Sequence, residues 1–224
     1  MIFFHNLFRQ FAPPLLLSGI VAGLTFASPL LSTAATHDTE EPSATEAVKS
    51  TINDLMHVLD DAALKQPDQA QERRRKIEEI VKQRVDYAEM ARHALGTQWS
   101  TLSLRERHEF IDLFVQLLRD TFAGRIAERS DEQIVFQGEL RESAFAEVNA
   151  QMKGRKIDTP IDFRLIHRAH EWRVYDVVID GASIVSNYRS QFTSVIRDVS
   201  YVGLVKKMKQ KAVAVKVFER SPAP

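Results

Sequence analysis

Between Ser103 and Arg129 the sequence sets Phe110, Leu113, Phe114, Leu117, Leu118, Phe122 and Ile126 at strict intervals of three or four residues. One long helix is the only regular element that gathers such residues onto a single face, and a face that wide must meet a core or a ligand. Past Arg129 the period changes. Short runs rich in β-branched and aromatic residues follow, at Ile134 to Phe136, Phe145 to Met152, Ile161 to Ile166 and Trp172 to Ile179. Gly138, Gly154-Arg155-Lys156 and Arg168-Ala169-His170 separate them at hairpin distances, so consecutive strands are expected to pair antiparallel.

Helices flank this meander. Ser43 with Glu46 has capping-box spacing before the stripe Val48, Ile52, Leu55, Met56, Leu59 and Ala63, which Pro67 is expected to end. Asp68 to about Arg84 predicts a second helix with Ile77, Ile80 and Val81 as a narrow apolar face. Its run Arg73-Arg74-Arg75-Lys76 fits a solvated face or a docking surface for an acidic partner. Asp86 and Glu89 open a short helix that Gly96 closes, and Ser103 with Glu106 opens the long one. After Asp180-Gly181 a closing helix carries Ile184, Val185, Tyr188, Phe192, Val195 and Ile196 on one stripe. The sum is an α+β fold: N-terminal helices, a curved antiparallel sheet of about four strands and a closing C-terminal helix. Periodicity does not separate a stripe that fills a core from one that lines a pocket.

The first 35 residues read differently. Arg9 precedes an apolar run from Leu15 to Leu31, and the small residues Ser32-Thr33-Ala34-Ala35 follow, the pattern of a cleaved secretory signal peptide. A polar linker over residues 36–45 leads to a domain over residues 46–205, and residues 206–224 form a basic tail with Lys206, Lys207, Lys209 and Lys211. That tail reads as a solvated helix end or as a contact for anionic headgroups or an acidic partner. With 44% apolar residues in 224, one sizeable core can close, and a formal charge of zero gives no sign of a nucleic-acid binder. No cysteine is present, so no disulfide framework staples the fold.

Catalytic patterns are weak. There is no G-x-S-x-G, and Ser183, which follows Asp-Gly and opens an amphipathic helix, reads as a helix cap. His167 and His170 flank a turn without a third metal ligand nearby, and no glycine-rich phosphate loop occurs. Asp162, Asp176 and Asp180 lie on or beside strands. Asp176 interrupts an apolar run, which fits a buried, hydrogen-bonded residue at the strand-to-helix corner better than a general base.

Two stretches carry a resemblance. Asp86-Tyr87-Ala88-Glu89-Met90-Ala91-Arg92-His93-Ala94-Leu95-Gly96-Thr97-Gln98-Trp99 and Asp176-Val177-Val178-Ile179-Asp180-Gly181-Ala182-Ser183-Ile184-Val185-Ser186-Asn187-Tyr188-Arg189-Ser190-Gln191-Phe192 are similar to the periplasmic phospholipid-shuttle family, also called the MlaC or toluene-tolerance family. Val85 and Ala182 stand where that pattern more often has Phe and Val. The resemblance implies a periplasmic carrier whose helices and curved sheet enclose an apolar cavity for the acyl chains of a phospholipid, without cofactor, metal or catalysis. It also implies two partners, an inner-membrane ABC transporter complex containing an MCE-domain protein and an outer-membrane lipoprotein complex. A sister branch is associated with hopanoids; the competing readings are a small-molecule enzyme on a similar α+β cup and a non-lipid periplasmic adaptor whose apolar faces merely pack a core. On the carrier reading the widest stripes and one sheet face supply the expected lining: Phe114, Leu117, Leu118, Phe122, Phe163, Leu165, Val174, Ile184, Tyr188 and Phe192. The Tyr188 hydroxyl is expected at the mouth, against a headgroup or glycerol oxygen.

Overall fold

The computed structural model describes residues 43–127, 133–154 and 157–211. Residues 1–42, on which the expected signal peptide and most of the expected linker fall, lie outside the described residues, as do residues 212–224 of the expected tail. Helix α1 spans Ala44–Asp60, α2 Ala70–Arg84, α3 Tyr87–Leu95 and α4 Leu104–Ala127. Strands β1 (Gln133–Glu142), β2 (Phe145–Lys153), β3 (Thr159–Arg168) and β4 (Glu171–Ile179) follow, then the two-residue β5 (Ala182–Ser183) and helix α5 (Ile184–Lys209). All five strands pair antiparallel in chain order, giving the expected α+β class with one short strand more than the sequence suggests.

Local chemistry sets the helix starts. Ser43 Oγ accepts from Glu46 N, Asp86 Oδ1 from Glu89 N and Ser183 Oγ from Ser186 N. Each satisfies an amide that the helix itself leaves unpaired. At Ser103 both halves of a capping box form, because the Glu106 carboxylate also accepts from Ser103 N. Pro67 does not end α1. That helix stops at Asp60, and Pro67 instead opens a 3-10 turn over Pro67–Gln69 that leads into α2, a position where its missing N–H costs nothing.

One face of the sheet is apolar. Ala146, Val148 and Ala150 of β2 stand opposite Leu165, Phe163 and Ile161 of β3, and Trp172 and Val174 of β4 continue the row. Helix α1 packs on it through Ala44 and Val48, with Ala47 and Ile52 alongside. The opposite face carries Glu147, Asn149, Asp162 and Arg164, joined by hydrogen bonds from Arg164 Nε to Glu147 and from Asn149 Nδ2 to Asp162.

Two bulges shape this sheet. Gly138, expected at a turn, lies inside β1, where the register skips Gln137 and the strand continues to Glu142; a glycine suits a bulge as well as a turn. In β4 the register skips Tyr175: Val174 pairs with Leu165, but Asp176 pairs with Arg164. A slip of one residue exchanges the faces of a strand, so Asp176 shares the polar face with Arg164 while Val177 returns to the apolar one. Asp176, only 3% exposed, then accepts from Arg164 Nη1 at 3.2 Å, Ser183 Oγ at 2.6 Å and Val185 N at 3.0 Å. The expected corner role is thus met by a buried carboxylate at the N-terminus of α5, where the helix dipole favours negative charge.

Helix α5 is two helical segments joined at Ser200, whose φ of 67° and ψ of 171° fall in a region that glycine alone occupies readily. At the bend Val199 closes on Gly203 so tightly that a β-carbon there would stand 2.7 Å from Val199 Cγ2. Beyond the bend Leu204 and Met208 are buried, so the segment containing Lys206, Lys207 and Lys209 is the last part of α5.

Replacing Asp176 with Ala should destabilise the protein by about 3 kcal/mol in urea unfolding, because Arg164 and the Val185 amide lose their partner in a buried site. Ser200→Gly should instead raise the urea midpoint, by relief of about 1 kcal/mol of backbone strain.

Candidate functional site

Helices α2, α3, α4 and α5 surround a cavity of about 210 Å³. Ile77 and Val81 of α2, Val85 just after it, Tyr87 and Met90 of α3, Leu118 of α4 and Ile184 of α5 supply its wall. Arg74, Glu78 and Arg119 are the charged residues that line it. The narrow apolar face of α2 therefore looks into the cavity. Val85, which follows α2, bridges to Val174, and Asp86 N donates to Val174 O at 2.9 Å, so the α2–α3 junction is pinned to the bulged strand.

Helix α3 is held from behind. Its Tyr87 and Met90 face the cavity while Glu89, 2% exposed, meets two guanidiniums and an imidazole. Arg92 donates to both Glu89 oxygens, Arg168 Nη2 to Oε2 at 2.9 Å, and His93 Nε2 stands 3.0 Å from Oε1. Arg168 Nη1 also reaches Asp86 Oδ2 at 3.2 Å, tying α3 to the β3–β4 turn. The reciprocal capping-box bond from Glu89 to Asp86 is thus replaced by an ion cluster, since Asp86 N already serves the sheet. Burial pushes the Glu89 carboxyl up, but the Arg92 hydrogen bond and the surrounding positive charges outweigh it and leave its pKa below the usual range. Burial and the Arg92 charge hold His93 down, against the opposing pull of Glu89. The His93 ring stacks on Tyr175 at 5.0 Å, which sets the bulge residue against α3.

The expected lining residues divide between the cavity and its surroundings. Leu118 and Ile184 face the cavity. Phe114, Tyr188 and Phe192 are fully buried and meet Phe110 in an aromatic cluster, with ring centroids 5.0 Å apart for Phe114–Tyr188 and 5.8 Å for Phe114–Phe192. Leu117 packs at the edge of that cluster. Phe163, Leu165 and Val174 lie with α1 on the sheet's apolar face. The Phe122 side chain lies outside the described residues. The Tyr188 hydroxyl is not at a mouth: it donates to Thr121 Oγ1 at 3.3 Å, and burial pushes its pKa up to about 12. Sequence reasoning missed Ile77, Val81, Val85, Tyr87 and Met90 as lining, although Ile77 and Val81 form an i, i+4 apolar pair on an otherwise charged helix, and that pair is the available signal.

Trp99, read as structural, is partly buried against the core, with the Arg107 guanidinium 5.3 Å from its ring and Arg107 Nε donating to its carbonyl at 3.2 Å. Among the described residues there is no cluster of three potential metal ligands and no helix long and apolar enough to cross a membrane.

Residues 49–210 match the model of the MlaC protein family. The chain belongs to the MlaC family. A curated relative, the intermembrane phospholipid transport system binding protein MlaC of Haemophilus influenzae, is 23% identical over 132 residues, which cover 56% of this chain and 62% of the relative. The match thus spans about three-fifths of that relative's length. Among solved structures, the phospholipid-binding protein from Ralstonia solanacearum, determined in complex with a phospholipid, superposes with a TM-score of 0.66 at 23% identity, over 76% of this chain and 97% of that one. The likeness establishes a shared fold. In this MlaC-family chain both resembling stretches meet at the cavity, one through Tyr87 and Met90 and the other through Ile184.

Acidification should weaken the fold from two groups in the same direction. His93 has a folded pKa below its ordinary 6.5, so the unfolded chain takes up that proton first and stability falls as pH drops through this region. Glu89 is depressed below its ordinary 4.5, so its contribution is present above that value and is lost as pH falls through the lower folded value. Glu89→Gln should lower the urea midpoint at neutral pH and shrink the acid-induced loss that occurs below pH 4.5.

Proposed function

We propose that this protein is an exported carrier that binds phospholipid and shuttles it between the inner and outer membranes, exchanging cargo with an inner-membrane ABC transporter complex containing an MCE-domain protein and with an outer-membrane lipoprotein complex. The observation that carries this reading is an apolar cavity between helices whose three charged lining side chains, Arg74, Glu78 and Arg119, are all partly exposed, in a chain of the MlaC family. The names of the relatives, an intermembrane phospholipid transport system binding protein and a phospholipid-binding protein, support it.

The physical task is solvation. Two acyl chains hold about 30 methylenes, and at about 0.8 kcal/mol each their exposure to water would cost on the order of 25 kcal/mol. Free passage between bilayers is therefore negligible. A dry cavity exchanges one apolar surrounding for another, so transfer needs binding and release rather than the making of bonds.

An apolar cavity of about 150 Å³ accepts one benzene-sized molecule, so 210 Å³ accommodates part of an acyl chain. The wall suited to yield is α2. Of its residues only Ile77 is buried, whereas α4 and α5 are locked together by the aromatic cluster. Displacement of α2 about the pinned Val85 junction would widen the cavity without breaking that cluster. Leu118, Ile184, Ile77, Val81, Val85, Tyr87 and Met90 are then the hydrocarbon-facing set, and Phe114, Tyr188 and Phe192 hold the rigid wall behind them.

Organic extraction of protein purified from cells, followed by mass spectrometry, should recover phospholipid in stoichiometric amount. Val81→Asp, which puts a charge into the wall from a partly exposed position, should cut the recovered lipid at least tenfold while the far-ultraviolet circular dichroism stays that of the parent. Recovery of a non-lipid metabolite, or undiminished lipid in the variant, would count against the carrier and this lining respectively.

A further inference from the structure

The rim of the cavity carries a charge arrangement that hydrocarbon binding does not require. Arg74 of α2 and Arg119 of α4 approach one carboxylate from different helices: Arg74 Nε donates to Glu78 Oε1 at 3.1 Å, and Arg119 Nε stands 3.7 Å from Oε2, beyond hydrogen-bond reach. Two guanidiniums against one carboxylate leave a net positive charge of one at an otherwise apolar opening. The neighbouring cation Arg75 is engaged elsewhere, with Glu72 at 2.6 Å and Glu79 at 2.5 Å. Among the described residues no protein acceptor engages the terminal nitrogens of Arg74 or Arg119. Each guanidinium therefore keeps the forked edge that matches a phosphate. Both side chains are about half exposed, 53% and 45%, and ion pairs in that setting exchange partners at little cost. Tyr87 lines the same cavity.

We propose that Arg74 and Arg119 form a phosphate-reading site for the headgroup of the cargo, and that Glu78 competes with that phosphate for their charge. The assignment rests on the carrier reading above and names the side chains behind it: these two arginines make the protein prefer lipids bearing a phosphate over neutral lipids with the same tails. A phosphodiester entering with its hydrocarbon in the cavity would meet two forks at the rim, whereas a diacylglycerol or a neutral polycyclic lipid would leave them facing Glu78 and water. Glu78 sets the threshold of this discrimination, because an incoming anion must displace it.

The test is competitive loading of the purified full chain from vesicles with equal amounts of dioleoyl phosphatidylglycerol and dioleoylglycerol, with the bound lipids extracted and quantified by mass spectrometry. The parent should favour the phosphate-bearing lipid by about tenfold, the scale of one charge-assisted hydrogen bond. Arg74→Gln with Arg119→Gln should bring the ratio of the two bound lipids to about one, and Glu78→Gln should increase it. Lys206→Gln with Lys207→Gln, which removes the same charge from α5 outside the lining, should leave the ratio unchanged. Inorganic phosphate should not displace bound lipid; displacement would mean that the rim takes a free anion and would overturn the headgroup assignment. An absent preference in the parent, one that survives loss of both arginines, or one lost equally in the lysine variant would overturn it as well, with the carrier reading intact. If neither lipid loads, the carrier reading falls and this one with it.

Discussion

A carboxylate buried beside a sheet needs both of its oxygens engaged, and Asp176 meets that demand from three directions at once, through Arg164, Ser183 and the Val185 amide. The demand decides much else. It fixes where α5 starts and which way its Ile184 points, and it depends on the bulge at Tyr175, without which the aspartate would lie on the apolar face among Trp172 and Val174. The same bulge places Tyr175 against His93 and so couples the sheet to α3. Strand, helix start and cavity wall thus share one local irregularity.

The cavity has unequal walls. On one side Phe110, Phe114, Tyr188 and Phe192 interlock with stacked and edge-on rings, a packing that resists separation because every ring would lose several close contacts. On the other, α2 presents two or three apolar residues and a charged exterior, tethered at its end by Val85. A binding site made of one stiff and one yielding wall can admit long chains without losing its frame, and the proposed carrier role uses both properties.

Much of this was legible in the sequence where the determining signal is local. The stripe from Phe110 to Leu118 survives as α4, and Ser43, Asp86, Ser103 and Ser183 cap helices as their spacing indicates. Gly138 was not legible as a bulge, because turns and bulges favour the same residue and only the partner strand distinguishes them. The cavity lining was legible only in Leu118 and Ile184. Phe114 and Leu118 stand one helical turn apart on the same stripe, yet one is sealed by rings from α5 and the other faces Ile77 and Val81 from a helix some forty residues upstream. Period reports that a face is covered. What covers it is set by contacts that no short window contains.

The irregularity in β1 has a consequence for the molecule's neighbours. As the first strand of the sheet, β1 offers an outer row of backbone donors and acceptors, with Val135 and Leu140 exposed beside them, the kind of border onto which a second extended chain can stitch itself. The extra residue at Gln137 breaks that row, and Glu139, Arg141 and Glu142 set charges along its far half. The bulge and these charges interrupt the row along which a second extended chain would pair.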